Sequence, residues 1–256
     1  MFAYSKETGA AVYVYRLHNI FGKWYRPNYN SAVATFCNNI ANELPIQVSD
    51  PNVTMNLIYI DDLVNEFINA LGGKVNLKDN YCHVEPVYTA LLGDIVELIK
   101  SFKDSREDRS IADMSDLFTK KLYSTYLSYL PADKFSYPLT MNIDNRGSFT
   151  EFIKTHDRGQ VSINISHPGI TKGNHWHHTK NEKFLVVSGR GIIKFRRIDS
   201  DVVIEYNVSG DKLEVVDIPT GYTHNIINTG DIDMVTVMWA NETFDMDKLD
   251  THVLEV

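Results

Sequence analysis

Four side chains in the second half of the sequence have the types and spacing of a metal site. His175 and His177 are separated by one residue, Glu182 follows five residues after His177, and His224 lies further downstream. On a strand, residues two apart project from the same face, so the first two imidazoles would point together and His178 would point away. Three imidazoles and one carboxylate suit a first-row divalent metal, Zn²⁺ above all. The alternative is an empty polar pocket.

The composition is that of an ordinary globular protein. The 256 residues carry a formal net charge of −8, which argues against nucleic-acid binding because such proteins normally present a basic face. Cys37 and Cys82 stand in unrelated contexts and predict reduced thiols instead of a disulfide framework. The sequence has no apolar run of membrane-spanning length and no signal pattern, so we expect a cytoplasmic protein without a membrane partner.

The spacing of apolar residues changes near residue 133 and predicts two domains, 1–133 and 134–256. The first half alternates between strand-like and helix-like segments. Strands are predicted at 11–17, with a loop at 18–22, and at 57–60; helices are predicted at 31–44, 61–71 and 91–102. The second half has short β-branched runs between Gly and Pro turn signals, typical of an antiparallel sandwich or barrel. These runs are 160–166, 183–187, 192–197, 202–206, 213–218 and 234–239. The predicted fold class is α/β followed by all-β.

The spacing around the candidate ligands resembles the two motifs of the cupin superfamily. Gly169, His175-x-His177, Glu182 and Gly189 match the first motif, and Pro219-x-Gly221-x-x-His224-x-x-x-Asn228 matches the core of the second. Two ordered motifs with the correct spacing are a specific signal. The resemblance implies a jelly-roll β-barrel that binds its metal through His175, His177, Glu182 and His224.

A run just upstream resembles the nucleotide-sugar 3,5-epimerases. Asp144-Asn145-Arg146-Gly147-Ser148-Phe149-Thr150-Glu151 is similar to their D-x-R-G-x-F-x-E pattern. The resemblance implies nucleotide contacts from Arg146 and Glu151, with Gln160 on the following strand as a further candidate. A guanidinium suits a diphosphate. The alternative for Arg146 is a strand-end residue paired with an acidic neighbour.

The same epimerases use the histidine of an R-G-x-H motif as their base. Lys172-Gly173-Asn174-His175 stands at the matching place, so the matching histidine here is also a candidate ligand. An imidazole bound to a metal has committed its lone pair and cannot accept a proton through that nitrogen. Proton transfer then needs another residue. The candidates are His178, Lys172, Tyr222 and Lys194, and the sequence does not choose among them.

The first half resembles extended short-chain dehydrogenases that act on nucleotide sugars. Arg16-Leu17-His18-Asn19-Ile20-Phe21-Gly22 is similar to their R-x-x-N-[IV]-[FY]-G motif, and residues 58–64 to their Y-[IV]-x-D-[LV]-V run. The resemblance implies a partial Rossmann-type, substrate-side region with Asn19 near the substrate; an Asn that caps a turn is the alternative. The Gly-rich phosphate-binding motif and the Tyr-x-x-x-Lys pair are not found in this sequence. We therefore expect residues 1–133 to be the C-terminal part of such a domain.

A reductase region followed by a metal cupin resembles the CapF family of bifunctional capsular polysaccharide synthesis enzymes. The resemblance implies C3 epimerisation of a UDP-2-acetamido-2,6-dideoxy-4-hexulose in the cupin and a homodimeric assembly. It also implies NADPH-dependent C4 reduction to UDP-N-acetyl-L-talosamine, which we do not expect from these residues alone because an NADPH site is missing. Three alternatives remain open: a metal that only braces the barrel, a sugar-binding or dimerisation module without turnover, and a redox cupin.

Overall fold

The computed structural model describes residues 1–245 and 249–256, which form two compact units. The first unit comprises residues 1–107 and 112–136, and the second comprises residues 108–111 and 137–256. Helices with short strands in the first unit and antiparallel sheets in the second confirm the predicted fold class. Among the described residues, no helix has both the length and the apolar character needed to cross a membrane.

The first unit packs five α-helices, a short 3-10 helix (Ala132–Lys134) and several short strands around an apolar core. The helices are α1 (Phe2–Thr8), α2 (Ala32–Ala41), α3 (Ile60–Leu71), α4 (Leu92–Asp108) and α5 (Leu117–Leu127). The strands are β1 (Asn19–Phe21), β2 (Thr54–Tyr59), β3 (Leu77–Lys78), β4 (Tyr81–Cys82) and β5 (Tyr88–Leu91). β2 lies between β1, to which it is parallel, and β5, to which it is antiparallel. Buried Leu57, Ile95 and Phe102 contribute to the core between sheet and helices.

Three helix predictions in this unit are confirmed by α2, α3 and α4, each within a few residues of the expected bounds except at the longer C-terminus of α4. The strand predicted at 11–17 is wrong, since its one ladder contact is an isolated bridge from Tyr15 to Cys82. The strand forms instead at Asn19–Phe21, where a loop was expected. A β-prone segment becomes a strand only where a partner runs beside it, and β2 provides that partner for β1.

The second unit is a jelly roll of two packed sheets. Its strands are β6 (Met141–Asp144), β7 (Gly147–Thr155), β8 (Gly159–Ser166), β9 (Thr171–Trp176), β10 (Glu182–Ser188), β11 (Arg190–Arg197), β12 (Val203–Ser209), β13 (Val215–Ile218), β14 (Tyr222–Asn228), β15 (Met234–Ala240) and β16 (His252–Val253). One sheet has the order β13-β10-β15-β8-β7-β6 and the other β12-β11-β14-β9-β16. Phe184 and Met234 from the first meet Ile193 and Ile226 from the second in the core.

One part of the space between the two sheets is polar. The buried face of β8 carries Gln160, Ser162, Asn164 and Ser166, in alternation along the strand. Buried polar side chains are retained where they hydrogen-bond, and here Gln160 donates to Ser162 (2.8 Å) and Asn164 to Ser166 (3.2 Å). The interior is thus divided into an apolar core and a polar region, and the candidate metal ligands lie beside the polar region.

Asp116 caps α5, and its removal should destabilise the protein in a pH-dependent way. Its carboxylate accepts a hydrogen bond from the backbone N–H of Thr119 (2.8 Å), so Asp116→Ala should lower the free energy of unfolding by about 1 kcal/mol at neutral pH. Hydrogen bonding by Thr119 also lowers the pKa of Asp116. The cap therefore contributes above the unfolded-state pKa and is lost as the pH falls through the lower folded-state pKa.

Urea unfolding near pH 7 and near pH 3 measures this difference, since the pKa of an Asp in an unfolded chain is about 3.9. Asp116→Asn is the matched control because it keeps an acceptor oxygen but does not titrate. The cost of Asp116→Ala should shrink at the lower pH, whereas the difference in stability between the Asn and Ala variants should stay the same because neither side chain titrates. An equal cost at both pH values would contradict the capping role.

Candidate metal centre

Two of the four predicted ligands face one another across strands β9 and β14. His175 and His224 are paired in register, and their ring centroids are 4.7 Å apart. His177 follows the end of β9, and Glu182 is the first residue of β10. One nitrogen or oxygen from each of the four side chains lies within 4.8 Å of all the others. The structure therefore brings the predicted ligand set together.

Gly173 allows β9 to approach β14 this closely. Its φ is +110°, and a Cβ at this position would lie 2.7 Å from the carbonyl oxygen of His224 and 2.8 Å from the Cα of Asn225. Real Cβ atoms do not approach backbone atoms so closely, so the position requires glycine. The pairing of the two strands also shifts register between His224 and Asn225, an irregularity that can re-aim a side chain.

Three of the ligand atoms are buried without a hydrogen-bond partner among the described residues: His177 Nε2, Glu182 Oε2 and His224 Nε2. The carboxylate oxygen lies 3.1 Å from Nε2 of His224 and 3.6 Å from Nε2 of His177, without hydrogen-bond geometry. An unsatisfied buried polar atom costs about 1–3 kcal/mol. Because all three are lone-pair donors around one point, a divalent cation would satisfy them together. The residues present therefore fit a bound metal.

The electrostatics of the cluster favour the ligating forms of Glu182 and His175, whereas the pKa of His177 moves in the opposite direction. Burial works to raise the pKa of Glu182, but the imidazoles of His177 and His224 outweigh it and lower that pKa to about 2. Burial, reinforced by the His224 and His177 rings, lowers the pKa of His175 to about 4. Burial also opposes charge on His177, yet Glu182 and the backbone carbonyl of Asp250 raise its pKa. An ionised carboxylate and a neutral His175 are the forms that bind a metal near neutral pH.

A cavity of about 770 Å³ is lined by all four candidate ligands. Its other polar lining residues are Asn142, Asp144, Arg146, Ser148, Asn164, Lys172, Lys180 and Thr251. Its apolar lining includes Phe149, Phe184, Met238 and Phe244. Concave sites of this size with a few convergent polar groups are typical of small-molecule binding.

Lys172 enters this cavity with its ammonium group held by three oxygens. Nζ donates to Oδ1 of Asn164 (2.8 Å), to the carbonyl of Ile165 (2.8 Å) and, at 3.4 Å, to the carbonyl of Ser148. Burial lowers the pKa of Lys172, with a smaller opposing effect from Asp144. The amine therefore has a fixed position and a reduced preference for the charged form.

Arg146 lines the same cavity and pairs with its neighbour in sequence. Its Nε and Nη2 donate to Oδ2 of Asp144 at 2.9 and 2.6 Å. The side chain remains 55% exposed, so part of the guanidinium is open to a ligand. Pairing with a nearby acid was one of the two interpretations of this residue, and the cavity position keeps the substrate-binding interpretation as a prediction.

A second cavity of about 560 Å³ contains the other two substrate-binding candidates of this unit, Glu151 and Gln160. Glu151 Oε2 pairs with Lys154 (2.9 Å) and with Arg109 (3.2 Å). Gln160 donates to Ser162 and accepts from the backbone N–H of Phe244 (3.2 Å). Glu182, Lys180 and Phe149 are among the residues that line both cavities.

The other candidates for proton transfer lie outside both cavities. His178 is exposed and packs edge-on against the rings of Trp176 and His252, at centroid distances of 4.4 and 4.8 Å. Lys194 forms an ion pair with Glu205 (2.6 Å). Tyr222 packs against the apolar core of this unit. In the first unit, Asn19 is exposed at the start of β1.

Two residues near the ligands were not anticipated from the sequence. Lys180 lines both cavities, and its place between His177 and Glu182 was a usable signal. Asp250 contacts Nδ1 of His177 through its backbone carbonyl and accepts backbone hydrogen bonds through its carboxylate. Burial works to raise the pKa of Asp250, but the N–H groups of Thr179, His178 and Lys180 outweigh it and lower that pKa. No local pattern marks a residue so distant in sequence.

The two-sheet fold and the convergent ligand set define a cupin with a candidate metal centre. Residues 142–252 match the family described as the polysaccharide biosynthesis C-terminal domain. Over 251 residues the chain is 45% identical to the UDP-2-acetamido-2,6-β-L-arabino-hexul-4-ose reductase of Pseudomonas aeruginosa, covering 98% of this chain and 67% of the relative.

Solved structures of relatives match this chain over its full length. The crystal structure of the capsular polysaccharide assembling protein CapF from Staphylococcus aureus is 61% identical, covers 100% of this chain and 74% of its own, and has a TM-score of 0.97. CapF with the inhibitor 3-isopropenyl-tropolone shows the same identity and coverage with a TM-score of 0.98. The chain belongs to the CapF family, and the resemblance inferred from the sequence is confirmed.

Gly173→Ala should weaken metal binding without unfolding the protein. The added Cβ would push against the backbone at His224 and so displace a ligand strand, and we expect a loss of about tenfold or more in Zn²⁺ affinity. Competition with a chromophoric chelator measures the affinity, and circular dichroism checks the fold.

Gly169→Ala is the matched control for this substitution. Gly169 also has a positive φ, +76°, but a Cβ there meets no atom within 4 Å. Gly169→Ala therefore places an alanine at a positive φ, as Gly173→Ala does, but its Cβ does not contact β14. Equal losses of affinity in the two variants would show that the close approach at Gly173 does not position the ligands.

Proposed function

We propose that this chain catalyses C3 epimerisation of a UDP-2-acetamido-2,6-dideoxy-4-hexulose in capsular polysaccharide biosynthesis. The observation that carries this proposal is the convergence of His175, His177, Glu182 and His224 beside a cavity that also holds Lys172. The Pseudomonas aeruginosa relative is named for a UDP-linked hexul-4-ose, which supports a UDP-4-keto sugar as substrate. The match to a polysaccharide biosynthesis family supports the pathway.

The four side chains would hold a divalent metal, and we propose Zn²⁺ because imidazole and carboxylate donors suit it. Bound there, the metal would supply Lewis-acid polarisation of the sugar's C4 ketone. The C3 proton is acidic because the charge left on carbon spreads onto that ketone oxygen. Side chains of the cavity must then remove this proton and return one to the opposite face.

Lys172 is the one sequence-derived candidate for proton transfer that lines the ligand cavity. Asn164 and the carbonyls of Ser148 and Ile165 fix its Nζ. Burial lowers its pKa, which brings the neutral amine closer to the working pH and suits a group that takes up and releases protons. We therefore assign one of the two proton transfers at C3 to Lys172, and the transfer on the opposite face to another group of the cavity.

The nucleotide portion of the substrate has two groups of candidate contacts. Arg146 keeps part of its guanidinium open to the ligand cavity and suits the diphosphate. Glu151 and Gln160 line the second cavity, where Glu151 also holds Lys154 beside it. We propose that the UDP group extends from the metal centre across these side chains.

The reductase half of the family activity concerns the first unit. The Pseudomonas aeruginosa relative is named as a reductase, and we propose NADPH-dependent C4 reduction for family members that contain a dinucleotide-binding region. The 256 residues contain no Gly-rich dinucleotide motif, so we propose no reduction by them alone. Asn19 remains the proposed substrate contact of this region. By family resemblance we also propose a cytoplasmic homodimer.

Solvent deuterium exchange tests the proposed reaction. A UDP-4-keto-6-deoxy-hexosamine incubated with the Zn²⁺-loaded chain in D2O should lose its C3 proton signal in the NMR spectrum. A chelator should stop this exchange while circular dichroism shows a folded protein, and added Zn²⁺ should restore it. Unfolding on chelation would favour a bracing metal, and exchange that persists without metal would contradict metal assistance. Binding without exchange would favour a non-catalytic sugar-binding module, and oxygen consumption with bound iron would favour a redox cupin.

Lys172→Met should slow C3 exchange by about 10²- to 10⁴-fold, the usual contribution of a positioned acid or base. Lys212→Met removes an exposed lysine that pairs with Glu214 and should leave exchange unchanged. The rates follow from NMR time courses at equal concentrations of folded, metal-loaded protein. Exchange by Lys172→Met within about threefold of the parent rate, well short of that contribution, would remove Lys172 from the mechanism.

A further inference from the structure

The C-terminal segment, residues 249–256, lies along the strands that carry two of the candidate ligands. Within it, β16 pairs with β9 so that Val253 stands opposite His175. The backbone N–H of Leu254 donates to the carbonyl of Asn174 (3.0 Å), and the hydroxyl of Thr223 on β14 donates to the carbonyl of Leu254. The segment therefore contacts both ligand strands, by backbone pairing with β9 and through the Thr223 side chain of β14.

Asp250 is the residue of this segment that reaches the ligands most directly. Its backbone carbonyl contacts Nδ1 of His177. A carbonyl oxygen can only accept, so this contact places the proton of the His177 ring on Nδ1 and leaves the lone pair on Nε2. Nε2 is the atom that faces Glu182 Oε2. The contact therefore selects the tautomer that can ligate.

The carboxylate of Asp250 holds the turn between His177 and Glu182. Oδ1 accepts from the backbone N–H of His178 (2.9 Å), and Oδ2 accepts from the backbone N–H groups of Thr179 (2.7 Å) and Lys180 (3.2 Å). The hydroxyl of Thr179 lies 3.0 Å from Oδ2 of Asp250 and 2.9 Å from Oε1 of Glu242, and shares its one hydrogen between these two acceptors. This turn sets the separation and relative direction of two ligands that are five residues apart.

We propose that Asp250 is a positioning residue of the metal centre, through its carbonyl to His177 and through its carboxylate to the turn that leads to Glu182. This inference rests on metal binding in the proposed function, but not on the identity of the substrate. Groups that orient metal ligands usually contribute about 10- to 100-fold in metal affinity. Asp250 has this role although it lies outside both cupin motifs in the sequence.

Metal affinity of Asp250 variants tests the proposal in the intact chain. Asp250→Ala should weaken Zn²⁺ binding by about 10- to 100-fold, measured by chelator competition. It should also change the visible absorption spectrum of the Co²⁺-substituted protein, which reports ligand geometry. Asp250→Asn keeps one acceptor oxygen, so it should lose less Zn²⁺ affinity than Asp250→Ala. If Asp250→Ala does not fold, Asp250→Asn provides the test in its place.

Arg196→Gln is the matched control, because Arg196 holds the other end of the segment by donating to the carbonyl of Glu255 (2.7 Å). This variant should lose some thermal stability but keep the parent Zn²⁺ affinity and Co²⁺ spectrum. Folded Asp250 variants with parent affinity would overturn the proposal, as would an equal loss of affinity in Arg196→Gln.

The outcome is separable from that of the proposed function. A parent chain that binds Zn²⁺ and depends on Asp250, yet does not exchange the C3 proton, would disprove the epimerase and leave the positioning role intact. A parent chain that exchanges the C3 proton while Asp250→Ala keeps the parent Zn²⁺ affinity would support the epimerase and disprove the positioning role of Asp250. A parent chain that binds no metal would overturn both.

Discussion

The second unit depends on one unusual electrostatic arrangement, the carboxylate of Glu182 buried between imidazoles. A buried charge is costly unless other groups compensate for it, and here the compensation comes from His177 and His224 on two other segments. Among the residues that the structure describes, the nearest atoms of the three side chains have no hydrogen-bond partner. A bound divalent metal would turn these three groups into ligands, so the atoms that carry the electrostatic cost are the ones that a cation would bind.

Several features of the fold serve this arrangement. Gly173 lets β9 approach β14 closely enough for His175 and His224 to face one another. The polar face of β8 keeps hydrophilic groups beside the ligands, while Phe184 stands between them and the apolar core, with its ring centroid 5.8 Å from that of His224. Packing alone would favour apolar residues at these buried β8 positions. Their polarity is a sign of a binding site, since buried polar groups are costly unless they are partnered.

The sequence indicated that the candidate ligands would come together because the geometry of three of them is largely local. His175 near the end of β9, His177 just after it and Glu182 at the start of β10 are brought together by a short stretch of chain. The strand predicted at 11–17 failed for the opposite reason, since strand formation depends on a partner that local pattern does not reveal. Lys172 could not be preferred over Lys194 until the cavity was known, and the contact of Asp250 with His177 spans 73 residues of sequence. Contacts of this length depend on topology, which single-sequence patterns do not specify.

X-ray absorption at the zinc edge directly tests the claim that three imidazoles and one carboxylate hold the metal. For the Zn²⁺-loaded chain we predict one tightly bound metal per chain with nitrogen and oxygen neighbours at about 2.0–2.2 Å. The outer-shell scattering should be that of three imidazole rings. A sulfur shell at about 2.3 Å would contradict the claim by implicating Cys37 or Cys82. Fewer than three imidazoles would contradict it as well, because His175, His177 and His224 would then not share one metal.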